Sequence, residues 1–329
     1  MTFPAPLTGV VPPVCTPLTP EREVDVPSLL RLVDHLVEGG VHGLFLLGST
    51  SEAAFLTDAQ RRQVVAAVTA HVAGQLPVLA GAIDMTTPRV LEHVAAVTAA
   101  GAQAVVVTAP FYARTHPAEI VHHYRRIAAA SPVPVIAYDI PAAVHSKLPA
   151  ELLLGLAGDG VLAGVKDSSG DLAAFREVVT GARAHPGFSV LTGSELIADA
   201  ALALGADGAV PGLANVDPHG YVRLYRRCRA GDTEGARAEQ ERLCALFGLT
   251  GVGDPARMGG SSSALGAFKA ALHLRGVIDC PVTAEPQVPL SGEEVDRVGR
   301  FLAAAGLLDP GPQDSGSGSL RNSSDSYGL

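Results

Sequence analysis

Five short polar segments of this chain carry hydroxyls, phenols, carboxylates and one amine that could act together on a carbonyl substrate. Each segment ends or follows an apolar run, which would place it at the end of a buried strand. The segments are GSTSE at 48–52, PFY at 110–112, YDIP at 138–141, KDSSG at 166–170 and TGSE at 192–195. The amine has the most specific chemistry, because a deprotonated lysine can attack a ketone.

Lysine is scarce in this chain, where it occurs only as Lys147, Lys166 and Lys269 among many arginines. Arginine does not deprotonate in proteins, so a retained lysine is a candidate for nucleophilic chemistry. Lys166 follows the apolar residues 162–165, and burial there would lower the pKa of its amine and favour attack on a carbonyl. An ion pair with Asp167 is the structural alternative, although consecutive strand side chains point to opposite faces. For Lys147 and Lys269, chance retention is the expected explanation.

Two further groups could assist a reactive lysine. Tyr138 would end a neighbouring strand, and a nearby ammonium favours an ionised phenol, so Tyr138 could transfer protons. A buried tyrosine bonded to the main chain is the alternative. Ser49 and Thr50 are predicted to lie in a turn that opens a helix, where hydroxyls and free N–H groups could bind a carboxylate. Simple helix capping would also explain this pair.

The polar segments belong to a regular series of apolar runs. Eight runs, continuous rather than alternating, are typical of parallel strands buried on both faces. They cover 9–18, 43–49, 77–82, 104–110, 134–140, 162–169, 189–194 and 205–215. The order predicts a (β/α)₈ TIM barrel with its active site at the carboxyl ends of the strands. A doubly wound sheet is the alternative, but no glycine-rich dinucleotide fingerprint follows the first strand.

Amphipathic stretches between the runs predict helices over 26–40, 57–74 and 86–102, with Thr57 and Thr86 as N-caps. After residue 216 the pattern becomes helical, and a Gly/Ser-rich loop is predicted at 251–263. We therefore expect a catalytic barrel over 1–216, a C-terminal helical extension over 217–308 and a disordered polar tail over 309–329.

Composition argues against several classes of protein. The chain has 329 residues, a net charge of −9 and no cluster of basic residues, so we expect no nucleic-acid binding. No apolar run reaches the roughly 18 residues of a membrane span, and the start of the chain lacks a leader pattern. We therefore expect a cytoplasmic protein without membrane contact. The cysteines are scattered and His122 and His123 are adjacent, so we expect free thiols, no metal and no cofactor.

Taken together, the polar segments resemble those of the dihydrodipicolinate synthase/N-acetylneuraminate lyase family, whose members are class I pyruvate-type aldolases. The resemblance extends from about residue 7 to residue 307. It rests on GSTSE (48–52), APFYAR (109–114), YDIP (138–141), GVKDSSG (164–170) and GADGAVPGLAN (205–215), which occur in matching order. It implies a barrel with C-terminal helices, a small-molecule 2-oxo acid as substrate, and assembly as a homotetramer or homodimer.

The family motifs imply a role for each matching residue. Lys166 would form the Schiff base, and Tyr138 would act as general acid and base. Ser49 and Thr50 would hold the carboxylate of the 2-oxo acid. Tyr112 would reach across a subunit contact and extend a proton relay through Thr50.

Two departures from the family pattern concern the substrate of the synthases and the turn after strand 2. Synthase members carry an arginine two residues after the proline of YxxP, where it binds a substrate carboxylate, and Ala143 stands there in this chain. Loss of such a charged contact costs on the order of 2–5 kcal/mol of binding, unless His145 or another basic residue replaces it. Ser51 replaces a glycine of the strand-2 motif, so the turn should differ slightly in conformation.

Further departures concern a polyhydroxylated substrate. Sialic acid lyases bind such a chain through acidic residues after strand 7 and a serine after strand 8. Glu195 retains one acid, whereas Leu196 and Gly212 replace polar residues. Ser168 could bond a substrate hydroxyl, and the resemblance places the main chain of Val210 near the bound oxo acid.

These observations predict a lyase that cleaves a 4-hydroxy-2-oxo acid or a 2-keto-3-deoxy sugar acid to pyruvate and an aldehyde. A dehydratase using the same iminium, or dihydrodipicolinate synthase itself, is the alternative activity. A catalytically silent 2-oxo acid binding protein is the non-enzymatic alternative. The chain retains Lys166, Tyr138 and Tyr112, which argues against a protein that has lost catalytic activity.

Overall fold

The computed structural model describes residues 3–308, and within them eight parallel strands form one curled sheet. The strands are β1 Gly9–Val10, β2 Leu44–Leu46, β3 Val78–Gly81, β4 Ala104–Thr108, β5 Val135–Asp139, β6 Gly164–Asp167, β7 Ser189–Thr192 and β8 Gly208–Ala209. β1 pairs with β8, and a parallel bridge between Pro13 and Phe45 joins the chain after β1 to β2. The predicted (β/α)₈ barrel is confirmed, and every strand lies inside one of the predicted apolar runs.

Strand side chains alternate between the inside of the barrel and the layer beneath the helices. The interior cluster includes Phe45, Val106, Ile136 and Leu191. The opposite faces of the strands pack with the helices in a larger apolar cluster. Burial on both faces explains why the strand sequences are continuously apolar rather than alternating.

Helices connect the strands and surround the barrel. They are α1 Val26–Glu38, α2 Asp58–Val72, α3 Thr87–Ala99, α4 Pro117–Ala130, α5 Pro141–Val144, α6 Ala150–Gly158, α7 Leu172–Ala182 and α8 Ala198–Leu204. Thr57 caps α2 through a capping box with Gln60, as its position predicts. Thr86 also occupies the N-cap of α3, but its side chain makes no capping hydrogen bond.

Four longer helices follow β8, as predicted for the C-terminal extension. They are α9 Pro218–Ala230, α10 Thr233–Phe247, α11 Gly260–Leu274 and α12 Gly292–Ala304. Leu213 and Phe268 belong to the same apolar cluster, so the extension packs directly on the barrel. The loop predicted at 251–263 is shorter than expected, because residues 260–263 form the first turn of α11. The predicted tail at 309–329 lies outside the described residues.

Residues 3–308 also lack several features. None of their helices combines the length and apolarity needed to cross a bilayer. No group of three or more His, Cys, Asp or Glu side chains among them is placed to hold a metal ion. The four cysteines of the chain lie in this range as free thiols.

Candidate active site

Lys166 and Tyr138 lie side by side in the barrel mouth. They are paired residues of β6 and β5, so their side chains leave the same face of the sheet. Both are buried, with 5% and 3% of their surface exposed. The Lys166 Nζ lies 4.2 Å from the centre of the Tyr138 ring and 5.0 Å from that of Phe45. Lys147 and Lys269 have carboxylate partners, whereas Lys166 has no ion pair within residues 3–308.

The Tyr138 phenol is electrostatically coupled to this amine. Burial by itself would raise the pKa of Tyr138, but the Lys166 ammonium and hydrogen bonds with Ser49, Lys166 and Ser168 hold it below its ordinary value. A phenol with a lowered pKa exchanges protons more readily near neutral pH. Tyr138 is therefore placed to move a proton to or from a group bound at Lys166.

Lys147 links the strand ends behind this pair. Its ammonium contacts Asp139 of β5 and lies 3.2 Å from the Asp167 carboxylate of β6. Asp167 also accepts hydrogen bonds from the N–H and Oγ of Ser169, both at 2.7 Å. The alternation of strand side chains keeps Asp167 away from the amine, and the alternative ion pair with Lys166 does not form. Lys147, for which chance retention was expected, instead holds β5 and β6 together.

The segment after β2 carries Ser49 and Thr50 in a turn that does not open a helix. The next helix, α2, begins only at Asp58, so the predicted helix start at Ser49 is wrong. A serine hydroxyl bonded to main-chain groups competes with helix formation, and Ser51 makes such bonds here. A carboxylate at Ser49 and Thr50 would therefore rely on the turn itself, without a helix dipole.

Ser51 stabilises this turn through its side chain. Its Oγ donates to the main-chain oxygen of Val14 at 2.5 Å and accepts from the N–H of Gly48 at 3.2 Å. Two residues of the turn adopt the left-handed conformation: Leu47, with φ of 55°, and Glu52, with φ of 60°. Ser51 itself avoids positive φ, so this turn does not need the glycine that the family resemblance led us to expect at this position.

Glu52 joins the same turn to the C-terminal helices. Its buried carboxylate pairs with Lys269 of α11, which also donates to the main-chain oxygen of Val282 at 2.9 Å. The second carboxylate oxygen accepts from the N–H of Ala284 at 2.6 Å. The scarcity of lysine could have identified Lys269 from the sequence. Its partner could not be identified, because these contacts join distant parts of the chain.

Glu195 lies on the opposite side of the mouth, in a short 3₁₀ helix after β7. Its Oε1 accepts from the N–H of Leu213 at 2.6 Å. Burial raises the pKa of the Glu195 carboxyl to about 7, although N–H groups of Leu213 and Gly212 and the Lys166 ammonium lower it. Glu195 is therefore close enough to influence Lys166, but its carboxyl group is already engaged by the main chain.

Three other predicted residues border the mouth. Ser168 Oγ lies so close to Gly193 that a Cβ at that glycine would come within 2.0 Å of it. Thr50 approaches Gly212, where a Cβ would lie 3.2 Å from the threonine hydroxyl. Val210 is buried in the interior cluster, and its N–H donates to the main-chain oxygen of Thr192 at 2.7 Å. Glycine at 193 thus leaves space for the groups around Lys166.

Tyr112 is the predicted site residue that a single chain leaves outside. It follows β4, its side chain is 93% exposed, and its φ is 75°. A non-glycine residue in the left-handed region stores roughly 1–3 kcal/mol of strain, which surrounding structure must offset. No contact among residues 3–308 brings its phenol to Lys166.

Comparisons with known proteins agree with this geometry. Residues 6–305 match the sequence model of the Dihydrodipicolinate synthetase family. An uncharacterised DapA-like lyase of Halobacterium salinarum is 36% identical over 302 residues, which cover 92% of this chain and 95% of the relative. The 4-hydroxy-tetrahydrodipicolinate synthase of Sorangium cellulosum is 34% identical over 273 residues, which cover 82% of this chain and 90% of the relative.

Solved structures give the same assignment. YagE, a prophage protein of the dihydrodipicolinic acid synthase family from E. coli K12 solved with pyruvate, superimposes with a TM-score of 0.85 at 28% identity, covering 92% of this chain and 99% of YagE. Dihydrodipicolinate synthase of Bacteroides thetaiotaomicron gives 0.86 at 31% identity, covering 92% and 100%. The chain therefore belongs to the dihydrodipicolinate synthetase family and is a class I aldolase-type lyase.

Proposed function

We propose that this lyase cleaves a 4-hydroxy-2-oxo acid, or a 2-keto-3-deoxy acid of the same pattern, to pyruvate and an aldehyde. The observation that carries the proposal is Lys166, a buried lysine that forms no ion pair within residues 3–308 and lies against the Tyr138 phenol. Pyruvate as the retained fragment is supported by YagE, a structural relative solved in complex with pyruvate.

The reaction follows from these positions. The Lys166 amine attacks the C2 ketone, water leaves and an iminium forms. Tyr138 accepts the proton of the C4 hydroxyl, the C3–C4 bond breaks, and its electron pair moves to the iminium to give an enamine. The aldehyde leaves, C3 is protonated, and water hydrolyses the resulting iminium to pyruvate and the free amine. Ser49 and Thr50 would bind the substrate carboxylate throughout.

A second copy of the chain is part of the proposal. Tyr112 is exposed to solvent in its own chain, and its backbone adopts the left-handed conformation. In a homodimer or homotetramer, the Tyr112 phenol of one copy would reach Thr50 of another and complete a proton relay. The oligomer would then supply a catalytic residue as well as stability.

The synthase activity named for several relatives fits this chain less well. Ala143 stands where synthases carry the arginine that binds a substrate carboxylate. Ala143 lines a cavity whose wall, within residues 3–308, contains no charged side chain. A dehydratase would use the same iminium, and product analysis separates it from an aldolase because only carbon–carbon cleavage releases pyruvate.

Borohydride trapping tests the proposal. The protein is incubated with pyruvate and sodium borohydride, and the modified peptide is identified by mass spectrometry. We expect one reduced adduct on the peptide that contains Lys166. Lys166→Arg, shown to be folded by circular dichroism, is the control and should give none. Folded wild-type protein without an adduct, or with its adduct on Lys147 or Lys269, would contradict the proposal.

A further inference from the structure

A cavity of about 170 Å³ opens beside Tyr138, on the side of the mouth formed by the segments after β2 to β5. Most of its wall is apolar, and the larger side chains in it are those of Ile83, Phe111, Ile140 and Val144. Its polar side chains are uncharged hydroxyls, those of Ser49, Thr108 and Tyr138. No charged side chain from residues 3–308 is part of the wall.

The cavity adjoins the atoms at which the proposed reaction occurs. Ser49 would bind the substrate carboxylate and Tyr138 would take the C4 proton, and both also line the cavity. When C2 is bonded to Lys166, the group attached to C4 therefore lies at the cavity entrance. This step rests on the proposed function, since it takes the positions of C2 and C4 from the Schiff-base reaction.

Apart from Lys166, which forms the Schiff base, two cations near this wall are engaged by other groups. Arg61 donates to the main-chain oxygens of Ala53, at 2.6 Å, and Ile83, at 3.3 Å, and so holds two wall residues from behind. Lys147 is held between Asp139 and Asp167. A second carboxylate, carried by the aldehyde portion beyond the one held at Ser49 and Thr50, would lose its hydration without meeting a free cation, which opposes its binding.

A polyhydroxylated group would also find few partners. Ser49 and Tyr138 are used by the reaction, which leaves Thr108 as the remaining side-chain hydroxyl of the wall. On the opposite side of the mouth, Glu195 is engaged by the N–H of Leu213. Each substrate hydroxyl left without a partner would oppose binding, because burying an unbonded polar group is unfavourable.

We infer that the aldehyde portion of the substrate is uncharged and mainly apolar, with the size of a branched aliphatic group or a single aromatic ring. An apolar protein cavity of roughly 150 Å³ is large enough to bind benzene, which supports this size. Burial of the apolar group between Ile83, Phe111 and Val144 supplies the affinity. The preferred substrates are then 4-hydroxy-2-oxo acids with a hydrocarbon substituent at C4.

The aldol direction allows this inference to be tested with simple aldehydes. C3 of the enamine that Lys166 forms with pyruvate attacks the aldehyde carbon, and a new C3–C4 bond forms. The aldehyde oxygen takes a proton from Tyr138, and water hydrolyses the iminium. The products are a 4-hydroxy-2-oxo acid and the free Lys166 amine, so no oxidant, reductant or further reactant is needed.

The experiment compares kcat/KM for isobutyraldehyde and benzaldehyde with kcat/KM for glyoxylate and glyceraldehyde, at saturating pyruvate, by chromatographic analysis of the product. We expect the apolar pair to be favoured at least about tenfold. Preference for glyoxylate or glyceraldehyde, or no reaction of the apolar aldehydes, would overturn the inference.

A pair of matched variants locates the selectivity in the cavity. Ala143→Arg introduces a guanidinium into the wall and should raise the ratio of glyoxylate to benzaldehyde activity at least about tenfold. Ala142→Arg adds the same charge at an exposed neighbour that is not among the wall residues, and should leave the ratio unchanged. Equal ratios in the two variants would count against the cavity as the aldehyde site.

Trapping with pyruvate separates this inference from the function on which it rests. If folded wild-type protein gives no borohydride adduct at Lys166, the proposed function fails and the inference fails with it. If the adduct forms but charged or polyhydroxylated aldehydes are favoured, the lyase proposal stands and the inference alone is wrong.

Discussion

Lys166 and Lys269 are both buried, with 5% and 1% of their surface exposed, yet their surroundings differ in one decisive respect. Lys269 meets the Glu52 carboxylate and the main-chain oxygen of Val282. Lys166 faces the rings of Tyr138 and Phe45 and has no ion pair among the described residues. Burial alone therefore does not distinguish a reactive lysine from a structural one. The presence or absence of a carboxylate partner does.

The same substitution at the two lysines should have opposite consequences. Lys166→Met removes the nucleophile while keeping the length and apolar character of the side chain. We expect pyruvate release to fall by about 10³-fold or more, since the other two lysines are held by carboxylates and the nucleophile is lost. The urea midpoint should change little, because the lost cation–π contacts are offset by removal of a buried, unpaired ammonium.

This prediction is checked by steady-state kinetics and equilibrium urea unfolding on the same preparations. A Lys166→Met variant that retains activity would show that another group forms the intermediate. A variant that loses as much stability as Lys269→Met would show that Lys166 has an unrecognised structural partner.

Lys269→Met should act on stability. It leaves the Glu52 carboxylate buried and unpaired, and we expect a loss of about 3–5 kcal/mol in the free energy of unfolding. The double variant Lys269→Met/Glu52→Gln should recover part of that loss, because the uncompensated charge is gone. If the single and double variants unfold at the same urea concentration, the charge pair is not the cause.

The smallest expected effect concerns Glu195. Its ionisation state decides whether an ionised carboxylate lies near Lys166. The raised pKa of Glu195, about 7, means that the folded chain keeps this proton after the unfolded chain has released it. Stability should therefore decrease as the pH rises from about 4.5 to 7, and stay lower above 7. Glu195→Gln should reduce this decrease by about 1–3 kcal/mol.

Urea unfolding of wild type and Glu195→Gln at pH 5 and pH 8 measures the effect. Glutamine keeps an oxygen that can accept from the N–H of Leu213, so the variant isolates the proton from the hydrogen bond. Identical pH dependence in the two proteins would mean that folding does not raise the pKa of Glu195, so that an ionised carboxylate lies near Lys166 at neutral pH.

The sequence predicts the barrel well because its strands are buried on both faces, which requires continuous apolar runs. It also identifies Lys166, because a lysine at the end of such a run stands out in a chain that otherwise uses arginine. Ser49 was misplaced at a helix start, because the Ser51 side chain bonds to Val14, in the neighbouring segment after β1, and holds a turn. The spacing of residues near Ser51 cannot predict a partner that lies 37 residues away along the chain.

The partners of Lys147 and Lys269 could not be predicted from the sequence either. The Ala284 N–H that completes the Glu52 site lies 232 residues away along the chain. Lys147 contacts acids on two strands that become neighbours only after the sheet has formed. The apolar cavity is assembled from four separate segments. From the sequence, only the replacement of an arginine by Ala143 indicated that its wall is less polar than in the synthases.

The Glu52 contacts also bear on the order in which the enzyme is made. During synthesis, all eight strands, Lys166 and Tyr138 emerge before Lys269 and Ala284. A nascent chain can therefore contain the whole barrel while Glu52, beside the turn that would bind the substrate carboxylate, still lacks its cation and its N–H donor. Ser51 and Val14 can hold this turn early, but the contacts that neutralise and fix Glu52 form only after the ribosome has delivered Lys269 and Ala284.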